Sequence, residues 1–417
     1  MSRDTVLHLF EAFGIELEYM IVGRDGLDVL PITDRILHTV AGKQVNEVDR
    51  GPLAWSNELA LHVIELKTDG PVSRIDHLAP LFTADIGQIN TLLQAHGGRL
   101  MPGAMHPWMD PATQTRLWPH GDQAIYQAYD RIFSCQGHGW SNLQSVHLNI
   151  GFCGDNEFGR LHAAIRLLLP ILPALAASSP IMDGRTTGIM DNRLQVYRNN
   201  QRRVPSVAGR VIPEAVFSRE EYEEKIFQPI YREIAPHDPE GILQYEWLNS
   251  RGAIARFERN AIEIRLLDIQ ECPQADIAIC AAIIGALKNL VGEKFSGYAS
   301  QKEWDREELI PIFDRCIIEG EKAVVTDKHY LQALGWSGRE ISAGRLWQHL
   351  VESCTEDAAI AAEHQGFLHT ILEHGTLARR LLRATGEAPD RRRLVAVYGE
   401  ICDCLEQGRM FTGIAPL

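Results

Sequence analysis

Ile15, Leu17, Tyr19 and Ile21 alternate with Glu16, Glu18, Met20 and Val22. Period-two alternation rich in β-branched and aromatic residues predicts a strand over 13–22. Side chains of a strand alternate between faces, so Glu16 and Glu18 project together, about 7 Å apart. Two adjacent carboxylates repel unless a cation or a proton lies between them. Alone, Glu-x-Glu reads as a solvated strand face, but the pattern returns. Over 143–152, Val146, Leu148 and Ile150 alternate with His147 and Asn149; over 254–268, Ile262, Ile264 and Leu266 lie opposite Glu263 and Arg265. A fourth segment, 55–68, carries Glu65 where the alternation of Leu61 and Val63 calls for an apolar residue. Glu58 stands seven residues before it. That offset is odd, so the two acids converge only if a turn or bulge separates them.

Helical periodicity predicts helices over 74–97, 125–133, 219–233 and 275–291, and a longer apolar one over 156–177 broken by Pro170 and Pro173. Thr33 is the expected N-cap of a helix over 34–40. Residues 99–108 read as a short strand entering a loop, and 110–119 as a Pro-rich loop around Arg116. The stretch 178–193 has small residues, two glycines, Arg185 and Arg193. It suits a loop that closes on an anion, and equally an ordinary polar loop. After residue 302 the pattern becomes all-helical, over 306–326, 343–354, 357–385 and 390–407. This divides the chain into 1–300, which holds the strands, and a helical region, 301–417.

Composition narrows the function classes. A net charge of −14 on 417 residues lacks the basic footprint that nucleic-acid binding needs, and an anionic substrate would require local cations. No run of eighteen apolar residues occurs, so no membrane helix is expected. The start, Met1-Ser2-Arg3-Asp4, does not read as a signal peptide. The eight cysteines are scattered; Cys280 and Cys316 lie in apolar runs as buried thiols, and Cys402-x-Cys404 alone is not a zinc pattern. This usage fits a reducing cytoplasm. Arg379-Arg380 and Arg391-Arg392-Arg393 read as solvated faces. A homo-oligomer remains open.

A sheet face bearing Glu16, Glu18, Glu65, His147, Glu263 and Arg265 cannot be a hydrophobic core, because each unpaired buried carboxylate costs several kcal/mol. It therefore lines a wet cleft charged with cations. Oxygen-rich ligation without thiolates suits Mg²⁺ or Mn²⁺. More carboxylates than one ion needs, with arginines nearby, point to two or more ions holding a nucleoside triphosphate.

The ordered set Gly14-x-Glu16-x-Glu18, Glu58 with Glu65-Leu66-Lys67-Thr68, His106-Pro107 and His147-x-Asn149-x-Gly151 resembles the second family of glutamate–cysteine ligases. Those are carboxylate–amine ligases of the glutamine-synthetase-like superfamily. The resemblance continues through Ser179-Pro180-x-x-x-Gly184-x-x-Thr187-Gly188-x-x-x-x-Arg193 and Glu263-x-Arg265-x-x-Asp268, covering about residues 13–290. It implies an α+β fold, with a curved, mostly antiparallel sheet forming the active-site cleft, helices flanking it and a helical C-terminal region. It also implies an ATP-dependent ligase that forms an amide bond of γ-glutamyl type through an acyl phosphate. Glu18, Glu58 and Glu65 match the acids of one Mg²⁺ (or Mn²⁺) position; Glu16, His147 and Glu263 match a second that bridges the ATP phosphates. Arg265 matches the arginine on the transferring phosphoryl group, so Arg265, Glu263 and Glu65 are the expected catalytic set. Arg185 and Arg193 match a loop associated with nucleotide or carboxylate contacts. Asn149 stands where many relatives carry a second histidine, as an expected nucleotide contact without charge.

Two other readings compete. The same fold would serve a different carboxylate or amine, and a non-catalytic ATP- or metal-binding regulatory protein would keep the site without turnover.

Overall fold

The computed structural model describes residues 7–121, 123–354 and 361–413. Its organising strand, β1 (Phe13–Gly23), has eleven residues, enough to pair with three neighbours. The other strands of the sheet are β2 (Glu47–Asp49), β3 (Leu53–Asn57), β4 (Val63–Thr68), β5 (Gly98–Met101) and β6 (Ser145–Gly151). A separate hairpin, β7 (Ile181–Met182) and β8 (Arg185–Thr186), precedes the last two, β9 (Ala253–Arg256) and β10 (Ala261–Asp268). The eight-stranded sheet runs β2-β3-β4-β1-β6-β10-β9, with β5 on the remaining part of β1. Every pairing in it is antiparallel.

The two faces of β1 are treated differently. Ile15, Leu17, Tyr19 and Ile21 are fully buried in the main core. That core also takes in helix Leu78–Gln94, helix Gly154–Leu168 and helix Pro273–Val291. On the opposite face Glu16 and Glu18 line a cleft, while Met20 and Val22 further along join a second apolar cluster with Leu381, Val397, Tyr398 and Ile401. Helices Leu377–Thr385 and Arg391–Gln407 thus roof the apolar half of this face and leave the acidic half open.

Several elements differ from their expected form. The predicted 254–268 strand is a hairpin, β9 and β10, turning through Phe257–Asn260 with Asn260 at φ 51°, a conformation asparagine tolerates. Thr33 is the first helical residue rather than the cap of helix Thr33–Ala41, and its hydroxyl donates to the Val63 carbonyl at 3.0 Å. The all-helical C-terminal region contains one small strand pair, β11 (Val324–Val325) and β12 (Ile341–Ser342). Residues 357–360 of its expected 357–385 helix lie outside the described residues, as does the Met1–Asp4 start. The remainder is two helices, Ala362–His374 and Leu377–Thr385, broken at Gly375 with φ 87°.

Helix Pro273–Val291 is long and apolar enough to cross a membrane by length and composition, which a search for unbroken apolar runs passes over because Asp276, Lys288 and Asn289 interrupt it. In the fold, 78% of that stretch is buried inside the protein. The basic runs are not simply solvated. Arg380 is buried and paired with Glu271, and it donates to the Phe411 carbonyl at 2.7 Å. Arg391 reaches Asp28 at 2.7 Å with its guanidinium over the Trp108 ring.

Candidate active site

Strand register assembles the acidic face. Glu18 stands opposite Glu65, Glu16 opposite His147, and Glu263 opposite Asn149. Directly opposed residues of an antiparallel pair share a face, so four adjacent strands deliver these groups to one place. Glu58 reaches it from the turn after β3: β3 ends at Asn57 and β4 begins at Val63, so the turn required by the seven-residue offset is present. A bulge in β10 between Ile264 and Leu267 then changes the alternation. It sends Leu267 into the core and brings Asp268 opposite Ser145, on the cleft side.

The side chains form one connected network. His147 Nδ1 lies 2.9 Å from Glu16 and 3.6 Å from Glu263, while Nε2 lies 3.1 Å from the Ser145 hydroxyl and 3.8 Å from Glu18. Ser145 donates to Glu18 through its backbone N–H at 2.7 Å and its hydroxyl at 2.9 Å. The Asn149 amide donates to Glu16 at 3.0 Å. Glu65 accepts from the Ser56 hydroxyl and pairs with Lys67 at 3.1 Å, which also holds Glu47 at 2.8 Å. Arg265 Nε lies 3.0 Å from Glu263, and Arg256 lies 3.3 Å from its other oxygen.

The charges are out of balance. Burial raises Glu16, but the hydrogen bond and charge of His147, with Lys67 and Arg265, outweigh it and hold that carboxyl at about 2. Burial lowers His147, yet Glu16 and Glu18 hold the imidazole up at about 9, so it donates from both ring nitrogens. Burial and the repulsion of Glu16 push Glu65 up to about 7. Burial, then Glu18 and Glu65, push Glu58 well above the carboxylate range. The side chains alone thus carry protons where the cleft has too few positive charges.

That imbalance tests whether the residues suit metal ions. Ligand atoms of Glu16, His147 and Glu263 lie within 4.8 Å of one another, as do those of Glu18, Glu65 and His147. The two sets meet at His147, one on each ring nitrogen. Oxygen donors with a single imidazole fit Mg²⁺ or Mn²⁺. Glu58 stands outside both sets but borders the cleft beside them.

Two cavities meet at this face. One, of about 530 Å³, is lined by Gly14, Glu16, Lys67, Asn149, Arg256 and Arg259 among others. The second, of about 210 Å³, is lined by Tyr126, Tyr129, Trp140, Tyr197 and Trp247. Glu58, His147 and Arg265 border both. Of the expected nucleotide contacts, Asn149 and Arg265 line the larger cavity, whereas Arg193 and Arg185 do not. Arg193 instead borders the smaller cavity; it is buried, ion-paired with Asp268, and donates to the Arg265 carbonyl at 3.3 Å, so it also fixes the backbone of Arg265. Arg185 sits exposed in the β7–β8 hairpin, whose Thr186 binds the Glu387 carbonyl at 2.7 Å, and it borders neither cavity. Ser145, Ser56, Arg256 and Arg259 had no role in the sequence reading. Ser145 was accessible to it, since it stands two residues before His147 and so shares its face.

The same architecture occurs in a crystal structure of glutamate–cysteine ligase from Francisella tularensis in complex with AMP. The TM-score is 0.57 at 11% identity, over 96% of this chain and 89% of that one, a likeness of fold. Fold and family define an ATP-dependent carboxylate–amine ligase. The chain belongs to glutamate–cysteine ligase family 2: the family model Glutamate-cysteine ligase family 2 (GCS2) matches residues 12–397. An uncharacterised protein of Archaeoglobus fulgidus is 32% identical over 398 residues, 95% of this chain and 99% of that protein. The glutamate–cysteine ligase of Haloferax volcanii is 26% identical over 263 residues, 63% of this chain and 65% of that ligase.

Proposed function

We propose that the protein joins a carboxylate to an amine at the expense of ATP, with glutamate and cysteine as the first pair to test. The observation that carries this reading is the convergence of Glu16, Glu18, Glu65, His147 and Glu263 from four strands on one cleft. Glu16, His147 and Glu263 would hold one divalent ion, and Glu18 and Glu65, with Glu58 beside them, a second. Bound Mg²⁺ or Mn²⁺ would screen the phosphates and draw the donor carboxylate toward the γ-phosphorus.

The chain's own groups do the remaining work. The larger cavity receives ATP, with Lys67, Arg256 and Arg259 offsetting phosphate charge. Arg265, at the junction of the cavities, faces the transferring phosphoryl group and stabilises charge that develops there. A donor carboxylate oxygen attacks the γ-phosphorus and ADP leaves; an amine then attacks the acyl phosphate and expels inorganic phosphate. No side chain needs to form a covalent intermediate, so the rate comes from positioning and electrostatics.

The aromatic lining of the smaller cavity supports a second reading, an acceptor with an apolar or aromatic body in place of cysteine. Incubation of purified protein with Mg²⁺–ATP and panels of carboxylates and amines tests both, read as inorganic phosphate and product mass. Glutamate- and cysteine-dependent phosphate release supports the first, release with a bulky amine alone the second. Absence of release with every pair favours the non-catalytic regulatory reading.

A further inference from the structure

A third group of potential ligands lies away from the cleft. Asp76 precedes helix Leu78–Gln94, and Glu363 and His364 open helix Ala362–His374, almost three hundred residues later. Their ligand atoms lie within 4.8 Å of one another. The sequence reading passed over them because no local spacing connects positions so far apart.

An acidic pair at a helix start is common on any surface; the histidine changes the reading. His364 is only 2% exposed, and its Nε2 is buried without a hydrogen-bond partner. That nitrogen stands 3.7 Å from Asp76 Oδ1, beyond hydrogen-bond reach. The other Asp76 oxygen is held by Arg74, at 2.9 Å from Nε and 2.6 Å from Nη2. A carboxylate oriented on one oxygen by a neighbour, with its second oxygen turned toward a buried imidazole nitrogen beyond hydrogen-bond distance, is the arrangement that outer partners impose on metal ligands.

We propose that Asp76, Glu363 and His364 bind a divalent first-row transition ion, with Zn²⁺ as the representative probe. Three protein ligands, one imidazole and two carboxylates, leave a position for water, because Glu363 is exposed. Mg²⁺ binds mostly where substrate phosphates complete its shell, as ATP would in the cleft and nothing would here, and the imidazole favours a transition ion. The ion would clasp the C-terminal helices to the segment after Pro71. That segment matters because Asp69, Gly70 and Pro71 line the larger cavity and Val72 pairs with Phe13 at the start of β1. The clasp would therefore steady one wall of the cleft from outside. It does not depend on the ligase reading.

The test is zinc titration of the metal-stripped full chain in excess Mg²⁺, by calorimetry or competition with a chromophoric chelator. Wild type and E16Q should each bind zinc at this site and gain thermal stability. D76N and E363Q should each bind one zinc fewer, or weaken that step by more than the roughly 10–100-fold that loss of an outer partner costs. Both replaced residues are partly or fully exposed, so folding is expected to survive, and circular dichroism checks it. Co²⁺ in place of Zn²⁺ should give a visible absorption band that D76N removes. Zinc binding and cobalt spectra unchanged by both variants overturn the proposal.

Discussion

Replacing Glu65 by glutamine should make the metal-free protein more stable at alkaline pH. Glu65 is buried, and its carboxyl is pushed from the usual 4.5 to about 7 by burial and by Glu16. The sign follows from linkage. Between pH 4.5 and 7 the folded protein keeps the proton that the unfolded chain releases, so stability falls as pH rises through this window. Above pH 7 the folded state must ionise the group, and the accumulated loss, at about 1.4 kcal/mol per pH unit, is about 3 kcal/mol. Glutamine resembles the protonated acid and still accepts from Ser56, so it escapes this loss. With an unfolding entropy of about 2.1 cal/mol/K per residue over 417 residues, that corresponds to a Tm gain of about 3–4 °C. Thermal unfolding in EDTA at pH 4.5 and pH 8, followed by circular dichroism, measures it. The variants should coincide at the lower pH and separate at the higher. Added Mn²⁺ should reverse the order at pH 8, because wild type gains more from the ion than the glutamine variant does. A Glu65→Gln protein no more stable than wild type at pH 8 in EDTA would refute the view of this cleft as a set of mutually repelling acids awaiting cations.

Glu16→Gln and Glu263→Gln should lower ATP-dependent turnover by orders of magnitude while leaving the circular dichroism spectrum intact; near-normal phosphate release from either removes the metal assignment. Binding of Mn²⁺ should release protons, since Glu65, Glu58 and His147 hold them at neutral pH, and calorimetry in two buffers of different ionisation enthalpy reads the number. Affinity for the ion should accordingly rise with pH through about 7. Arg259→Ala should raise the KM for ATP more than it lowers kcat, because Arg259 lines the larger cavity and is not part of the Arg256–Glu263–Arg265 cluster; an unchanged KM would move the nucleotide elsewhere. Arg380→Ala should cost about 3–5 kcal/mol of stability by leaving Glu271 buried and unpaired, seen as a lower midpoint in urea.

The active-site face was legible because period-two alternation is a strong local signal. Glu16 and Glu18, His147 and Asn149, and Glu263 each stand out as polar positions among buried neighbours. Glu58 could be placed only conditionally, and the turn after Asn57 met the condition. What escaped has a common physical origin. Arg193 and Arg185 lie eight residues apart in a similar polar stretch, yet one is buried against Asp268 and the other faces solvent. That difference rests on the β10 bulge, which turns Asp268 to the cleft side and has no marker in the sequence. The Arg380–Glu271 pair escaped for the same reason, since a basic run looks alike whether its partner is water or a distant glutamate.

The division of the β1 face into an acidic half and an apolar half explains why the helical region accompanies the sheet. Glu58 and Glu65, pushed up by burial and by the acids of β1, destabilise the metal-free fold, whereas His147 compensates Glu16. Met20 and Val22 continue the same face and are buried by Tyr398, Ile401 and their neighbours on the C-terminal helices. Burial there, worth roughly 1.5–3 kcal/mol for each large side chain, anchors the strand that carries the acids. The strand is then rigid before any ion arrives, and the carboxylates are held in their repulsive arrangement instead of relaxing apart. A cleft built this way binds cations strongly because its empty state is unfavourable, and it keeps that property only while the helices stay docked. Truncation of the C-terminal helices should therefore weaken Mn²⁺ binding in any sheet that remains folded, even though none of their described residues lines either cavity.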